Sequence, residues 1–178
     1  MVYVFLADGF EEIEAIAPID IMRRAGICVK TVGVTGKTVT GAHEIEISSD
    51  ISLNEVSLDK ASLLFLPGGM PGTTNLLENE KVKELIISAN EKGIYISAIC
   101  AAPMILGKLG LLKGKNATCF PGFEEYLEGA NAKNDKVVFD GNIITSRGAG
   151  TAHLLGFKFV EILKEKQMAD ELSSAMQY

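Results

Sequence analysis

The sequence predicts an α/β sandwich built around a mainly parallel β-sheet. Short apolar runs that suit buried strands alternate along the chain with longer segments of helical periodicity. Loops of unusual chemistry follow three of these strands, and the sites of such sheets lie beyond the carboxyl ends of the strands. With 178 residues, we expect a single domain over residues 1–178 whose core is large enough for stability.

The first half of the chain supplies apolar strands, one apolar helix and a turn-rich segment. Each strand is predicted by an apolar run, and the end of the helix by the glycine that follows it. Alternation of polar and apolar residues inside the turn-rich segment 36–50 predicts an edge hairpin. In order, these elements are the strand Val2–Leu6, the helix Glu11–Ala25 closed by Gly26, the strand Cys28–Val34, the hairpin around Glu44–Ile47 and the strand Ser62–Leu66.

The second half continues the alternation and adds a hairpin. The dipeptide Asp140-Gly141 between two short strands is a strong hairpin signal. In order, the predicted elements are the amphipathic helix Asn79–Lys92, the strand Ile94–Ile99, the helix Ala101–Leu106, a strand containing Cys119, the hairpin strands Lys136–Phe139 and Asn142–Thr145, the long helix Thr151–Lys166 and the short helix Met168–Gln177.

Composition and motifs exclude several classes of function. The net charge of -6 and the pI near 5.0 argue against nucleic acid as the main partner. No apolar stretch suits a membrane span and no signal peptide is visible, so we expect no membrane partner. Three cysteines make no disulfide framework, which favours the reduced cytoplasm. Without a nucleotide-binding glycine loop or metal-ligand spacing, we expect no cofactor and no metal site.

Cys100 is the candidate nucleophile because of its place at a strand-to-helix turn. The apolar run Ile94–Ile99 ends at this cysteine, and the predicted helix follows directly. Unpaired N–H groups at a helix start favour an anion, so we expect the pKa of the thiol to be lowered. A buried structural cysteine is the ordinary alternative, which we expect for Cys28 and Cys119. Cys119 is also close enough to the expected pocket to be considered as a resolving cysteine.

Glu14 is the acid best placed for burial beside that turn. Burial raises the pKa of a carboxyl group, so Glu14 can exchange a proton with the thiol as a general acid or base. For Glu11 and Glu12 the ordinary preference of acids for a helix N-terminus is a sufficient explanation. At helical spacing the neighbours of Glu14 are all apolar, namely Ala17, Pro18, Ile21 and Met22.

A glycine pair after the strand Ser62–Leu66 completes the candidate site. Gly68 and Gly69 permit close approach of the backbone, and the N–H groups of Gly69 and Ala101 can form an oxyanion cradle. Taken alone, Pro-Gly-Gly is only a turn signal.

The two histidines have no evident role in this site. A Cys-His dyad needs an imidazole within hydrogen-bond reach of Cys100, but neither His43 nor His153 is near it in the sequence. We therefore expect both histidines to be surface residues or satisfied structural ones.

Several stretches in order resemble the ThiJ/PfpI superfamily, in particular the branch of the Parkinsonism-associated protein deglycase (DJ-one) and its bacterial relatives. The similarity runs nearly end to end, and several motifs in order are far more specific than one. The stretches that carry it are Leu6–Glu14, Asp20–Gly26, Leu66–Gly69, Ala98–Pro103 and Thr145–Thr151.

The resemblance implies a flavodoxin-like three-layer α/β/α sandwich of the class I glutamine amidotransferase-like type, usually found as a homodimer. It also implies that Cys100 is a reactive, oxidisable nucleophile, that Glu14 is its hydrogen-bond partner, and that Gly69 and Ala101 line the pocket. Members of the family are described as glutathione-independent glyoxalases, deglycases, chaperones and oxidative-stress sensors.

One departure from the family pattern concerns Phe120. Many members carry a histidine that faces the cysteine, whereas here the matching stretch is Cys119-Phe120-Pro121. The loss of an imidazole base leaves Glu14 as the expected proton shuttle. Arg147 and Gly148, in the last matching stretch, either line the pocket or shape its turn.

Three functions remain open at the level of the sequence. The first is an enzyme that converts a small 2-oxoaldehyde into a 2-hydroxy acid, with Cys100 as nucleophile and Glu14 as proton shuttle. The second is an oxidative-stress sensor or redox-regulated chaperone that works through oxidation of Cys100. The third is a cysteine peptidase or amidase, which needs a histidine near Cys100.

Overall fold

The computed structural model describes residues 1–178, along which eleven strands and six helices are arranged. The strands are β1 (Val2–Leu6), β2 (Val29–Gly33), β3 (Thr38–Thr40), β4 (Glu46–Ser48), β5 (Ile51–Ser52), β6 (Leu63–Leu66), β7 (Tyr95–Ile99), β8 (Asn116–Ala117), β9 (Asn131–Ala132), β10 (Val137–Asp140) and β11 (Ile143–Ser146). The helices are α1 (Glu12–Arg24), α2 (Gly72–Glu78), α3 (Glu80–Glu91), α4 (Pro103–Lys108), α5 (Ala152–Leu163) and α6 (Lys166–Ala175).

Seven of the strands form the central sheet, in the order β10-β11-β7-β6-β1-β2-β5. All neighbouring pairs are parallel except β10 and β11, which form the antiparallel hairpin at one edge. In register, Val4 is opposite Phe65 and Leu66 is opposite Ala98, so the three central strands end close together. The loops after β1, β6 and β7 therefore meet at one edge of the sheet, as the sequence predicts.

Helices cover both faces of this sheet, which gives the predicted three-layer α/β/α architecture. Successive side chains of β1 point to opposite faces, so Val4 and Leu6 pack with α1 and α5 while Phe5 packs with α2, α3 and α4. Helix α6 packs on α5 through Phe157 and Ala169. None of the six helices combines the length and the apolar character needed to cross a bilayer.

Most predicted elements are present, with ends displaced by a few residues. Strand β1 has its predicted bounds, whereas the first helix covers Glu12–Arg24 instead of Glu11–Ala25 and continues through Pro18. Helix α2 is an element that the sequence analysis did not predict, because its start at Pro71 and Gly72 resembles a turn.

Three predictions about where residues lie in the fold are wrong. The sequence predicts a strand that contains Cys119, but this residue lies in a loop, although it is buried. The chain turns after β8, and the Phe120 N–H donates to the Cys100 carbonyl. The sequence also predicts a buried Cys28 inside the second strand, but Cys28 is exposed and precedes β2, whose pairing with β1 begins at Val29. The hairpin β3–β4 exists, but it forms a separate two-stranded sheet, and β5 occupies the edge of the main sheet.

Candidate active site

Cys100 lies between β7 and α4 in the left-handed backbone conformation, with a φ of 64°, which is uncommon for a residue with a side chain. Its N–H donates to the Ser146 carbonyl at 2.9 Å, and its carbonyl accepts the Phe120 N–H at 2.8 Å. Such a conformation costs about 1–3 kcal/mol and persists only where the surroundings hold it. The half-buried thiol therefore has a direction that its neighbours fix.

Glu14 is in the first turn of α1 and is completely buried. Its Oε2 accepts the Gly68 N–H at 2.9 Å, while Oε1 is buried without a nitrogen or oxygen partner. Burial raises the pKa of Glu14 to about 7; hydrogen bonds from the Cys100 thiol and from Gly68 oppose this rise, and the charge of Glu11 adds to it. Near neutral pH the carboxyl group can therefore both accept and donate a proton.

The thiol of Cys100 differs from the expectation. Burial, the charge of Glu14 and the hydrogen bond with Glu14 raise its pKa well above the ordinary value, and the N–H groups of Ala101 and Gly69 offset only part of this rise. The predicted lowering by a helix start is wrong, because α4 is short and begins only at Pro103, whereas the Glu14 carboxyl is adjacent. Cys100 is a thiol whose natural proton acceptor is Glu14.

Gly68 and Gly69 make the close contact between thiol and carboxyl possible. A Cβ atom at Gly68 would lie 2.5 Å from Glu14 Oε2 and 2.7 Å from Cys100 Cβ, so no larger residue fits there. The Gly68 carbonyl also accepts the Glu11 N–H at 2.9 Å, which ties the start of α1 to the end of β6. Gly69, with a φ of 89°, presents its N–H to the Cys100 thiol.

A cleft of about 420 Å³ lies next to the thiol, with Phe120 and Gly148 in its lining. A Cβ atom at Gly148 would be 3.2 Å from the Phe120 ring and 3.8 Å from Cys100 Sγ, so Gly148 connects the cleft lining to the thiol, which is not itself part of that lining. The structure thus places the predicted pocket residues Phe120, Arg147 and Gly148 around one opening, together with Pro121, Lys136, Ala149, Gly150 and Thr151.

Two hydroxyl residues that the sequence analysis did not single out hold the turn at Gly148. Ser146 Oγ and Thr151 Oγ1 are 2.7 Å apart, and Thr151 Oγ1 also bonds to the N–H and to the carbonyl of Gly148. Both lie in or beside the stretch that resembles the family, but chain order does not reveal the partner of a hydroxyl group. The sequence analysis also did not single out Lys136, because only the folding of the hairpin β10–β11 brings this residue to the cleft.

Neither of the two histidines belongs to this site. His43 is exposed, with Nδ1 2.9 Å from Glu12 Oε2, and His153 stacks on Tyr178 with ring centroids 5.4 Å apart. The groups that shift the pKa of Cys100 include no imidazole. Ligand atoms of Glu11, Glu12 and His43 lie within 4.8 Å of one another, but His43 is already bonded to Glu12 through both its N–H and its ring.

The other two cysteines have different surroundings. Burial and the charge of Glu124 raise the pKa of Cys119 to about 11, against the opposing influence of Arg147 and of the Phe123 N–H. Cys28 Sγ lies 3.5 Å from the sulfur of Met1. All three cysteines are free, and a resolving role for Cys119 stays a prediction.

Comparison with known proteins places this geometry in a family. A model described as the DJ-1/PfpI family matches residues 1–162. The chain is 40% identical to Drosophila melanogaster protein dj-1beta over 176 residues, which cover 97% of this chain and 94% of that protein. It is 36% identical to the Danio rerio Parkinson disease protein 7 homolog, with coverage of 97% and 94%. An archaeal protein named a deglycase, from Pyrococcus abyssi, is 32% identical, with coverage of 92% and 99%.

Similar solved structures also belong to DJ-1 proteins. The structure of Drosophila melanogaster DJ-1beta has a TM-score of 0.94 at 39% identity, and the match covers 99% of this chain and 96% of that chain. A cysteine-to-alanine mutant of a DJ-1 superfamily protein from Salmonella typhimurium has a TM-score of 0.95 at 31% identity, with coverage of 99% and 97%. This chain spans less than half the length of two Arabidopsis thaliana relatives that it also matches.

Proposed function

The chain belongs to the DJ-1/PfpI family, and from this premise we propose that it is a cysteine-dependent enzyme for small reactive carbonyl compounds, of the glutathione-independent glyoxalase or deglycase type. The observation that carries the proposal is the pairing of the half-buried Cys100 thiol with the buried Glu14 carboxyl group, whose pKa is about 7. The archaeal relative that is named a deglycase supports the same class of chemistry.

In the first step the carboxylate of Glu14 takes the thiol proton while Cys100 Sγ attacks the aldehyde carbon of methylglyoxal. A C–S bond forms and the π electrons of the aldehyde move to its oxygen, where the N–H groups of Gly69 and Ala101 stabilise the charge. Glu14 returns the proton to this oxygen. The product is a neutral hemithioacetal, and Glu14 is again a carboxylate.

In the second step Glu14 moves a proton between the two carbons. It removes the proton from C1, and the electron pair passes to the C2 carbonyl oxygen, which gives an enediolate. The proton then returns to C2 while the C1 hydroxyl group gives its proton to the C2 oxygen, which leaves a lactate thioester on Cys100. Water then cleaves the thioester, which releases lactate and restores the thiol. Because the oxidation of C1 is balanced by the reduction of C2, the reaction needs no external oxidant, reductant or cofactor.

The decisive test is lactate formation from methylglyoxal without glutathione. We expect turnover by the wild type and by Cys28→Ser, which changes an exposed thiol, and loss of turnover in Cys100→Ser. Glu14→Gln should also lose most of its activity. Because nucleophile and base act as a unit, the double variant should be scarcely worse than either single variant. Lactate formation by Cys100→Ser would overturn the assignment.

The second candidate is an oxidative-stress sensor or redox-regulated chaperone. It is favoured by the unpartnered Oε1 of Glu14, which in its protonated form can donate a hydrogen bond to an oxygen of a Cys100 sulfinic acid. The raised pKa of the Cys100 thiol argues against it, because the thiolate is the form that oxidises. A Toxoplasma gondii DJ-1 described as oxidized is among the similar structures.

Limited peroxide treatment followed by intact-mass and peptide analysis separates the two candidates. A sensor should gain about 32 Da at Cys100 before Cys28 reacts, since two oxygen atoms are added. An enzyme with a protonated Cys100 thiol should show no such preference, because Cys28 is more exposed.

Assembly and compartment complete the proposal. We expect a homodimer, as in the family, formed through an apolar patch on α1 and the β3–β4 hairpin, and we expect the cytoplasm because three free cysteines suit a reducing compartment. A peptidase or amidase is not proposed, since neither histidine of the chain acts on Cys100.

A further inference from the structure

The cleft that adjoins Cys100 through Gly148 carries two cations and no acidic side chain. Its lining includes Lys136 and Arg147, and neither forms a salt bridge. Arg147 Nη1 donates to the Asn134 carbonyl at 3.0 Å, which orients the guanidinium and leaves its other donors free. In a chain with a net charge of -6, this opening is a local region of positive charge.

The nearest acids lie outside this lining. Lys136 also contributes to a neighbouring cleft that is lined by Asp135, Glu161 and Asp170, of which Glu161 and Asp170 are paired with Lys158 and Lys166. Glu124 and Arg147 shift the pKa of Cys119 in opposite directions, and Glu124 is not part of the cleft lining. These carboxylates weaken the positive charge, but they do not supply a partner inside the cleft.

The lining of the cleft combines an apolar and a charged part. Beside the thiol, Phe120 and Pro121 form an apolar wall, and the Phe120 ring is 48% exposed. Lys136 and Arg147 supply the charged part of the lining. A molecule that occupies this cleft beside Gly148 can therefore contact the Phe120 ring with its apolar part and the cations with a polar group.

We propose that this cleft selects 2-oxoaldehydes that carry a terminal carboxylate, and that Lys136 and Arg147 bind that carboxylate. The inference rests on the proposed function and names a class of substrate for it. A carboxylate is preferred because its two oxygens match the donors of a guanidinium group. A small linear molecule of this class fits a cleft of about 420 Å³.

Binding is tested without turnover by NMR titration with 4-oxopentanoate, which has the ketone and carboxylate but no aldehyde, and with its neutral methyl ester. We expect the acid to bind more tightly than the ester, with shifts at the amides of Gly148 and Ala149. Lys136→Gln should weaken binding of the acid roughly three- to fivefold, as for a partly exposed ion pair. The matched control is Lys133→Gln, which removes an exposed lysine outside the lining and should match the wild type.

Equal affinity for acid and ester, absence of binding, or equal affinity in all three proteins would overturn the inference. Turnover gives the second readout, as the ratio of kcat/KM for 4,5-dioxopentanoate, which gives 2-hydroxypentanedioate, to that for methylglyoxal. This ratio should fall several-fold in Lys136→Gln and not in Lys133→Gln. If no protein turns over either compound, the proposed function fails while the binding data still decide the cleft. If the proteins turn over both compounds but the ratio of kcat/KM values is the same in Lys136→Gln as in the wild type, the proposed function stands and the inference about the cleft fails.

Discussion

The proton that Cys100 and Glu14 share defines the site at the scale of single residues. Burial and the adjacent charge of Glu14 raise the pKa of the Cys100 thiol, whereas burial raises the pKa of Glu14 against the opposing hydrogen bond from that thiol. Gly68 permits this contact because any Cβ atom there would overlap both residues. The sequence identified all three residues, but it predicted the wrong direction for the pKa of the thiol.

The raised pKa of Glu14 predicts how stability depends on pH. Between the ordinary pKa of 4.5 and the folded value of about 7, only the folded state holds the proton. This contribution to stability is complete below the ordinary pKa and is lost as the pH rises through about 7, by on the order of 3 kcal/mol. Glu14→Gln carries no such proton, so its free energy of unfolding should change less between about pH 5 and about pH 8. Urea unfolding at both pH values measures the difference; equal losses in the two proteins would contradict the prediction.

At the scale of elements, Glu12 fastens the β3–β4 hairpin to the start of α1. Its Oε1 accepts the His43 N–H at 2.7 Å and the Ile45 N–H at 3.4 Å, and Oε2 lies 2.9 Å from His43 Nδ1. Gly41 leaves room for the carboxylate, because a Cβ atom there would collide with Glu12 Oε1. This buried acid explains why the hairpin packs on α1 as a separate small sheet instead of extending the main sheet.

Removing the charge of Glu12 should loosen this attachment. Burial alone would raise the pKa of Glu12, but the hydrogen bonds from His43 and Ile45 outweigh burial and lower it. The carboxylate therefore contributes stability above its ordinary pKa of 4.5, and the contribution is lost as the pH falls. We expect Glu12→Gln to cost about 1–3 kcal/mol near neutral pH and less in acid.

Urea unfolding near neutral pH and in acid checks this expectation, with Glu46→Gln on β4 as the matched control. Glu46 is exposed and should tolerate the change at both pH values. A Glu12 variant as stable as the Glu46 variant would show that the carboxylate does not hold the hairpin.

At the scale of the whole molecule, an apolar patch stays uncovered in the single chain. Ile13 and Ile16 of α1 are 52% and 38% exposed, and Ile45 of the adjoining hairpin is 54% exposed. The two α1 residues share one helix face, and Glu12 brings Ile45 beside them. A surface of this kind suits a second copy of the chain, related by a two-fold axis.

Light scattering tests this assembly. We expect twice the chain mass of 19.1 kDa for the wild type. Ile13→Asp should shift the protein toward the monomer, because a charge would be buried in the interface. The control Ile87→Asp changes an isoleucine of α3 that is 40% exposed and lies outside the patch, so it should remain dimeric. If light scattering gives the monomer mass for the wild type, the proposed dimer is contradicted.

The sequence alone determined the alternation of strands and helices and the meeting of three strand ends, and it singled out Cys100, Glu14 and Gly68 as candidates, because apolar periodicity and turn chemistry are local properties. The single-domain organisation stays a prediction. Only the tertiary structure decided the sign of the thiol pKa, the loop position of Cys119 and the entry of Lys136 into the cleft. Each of these depends on groups distant in the chain, whose electrostatic and packing effects act through space and appear only when the sheet and its helices have assembled.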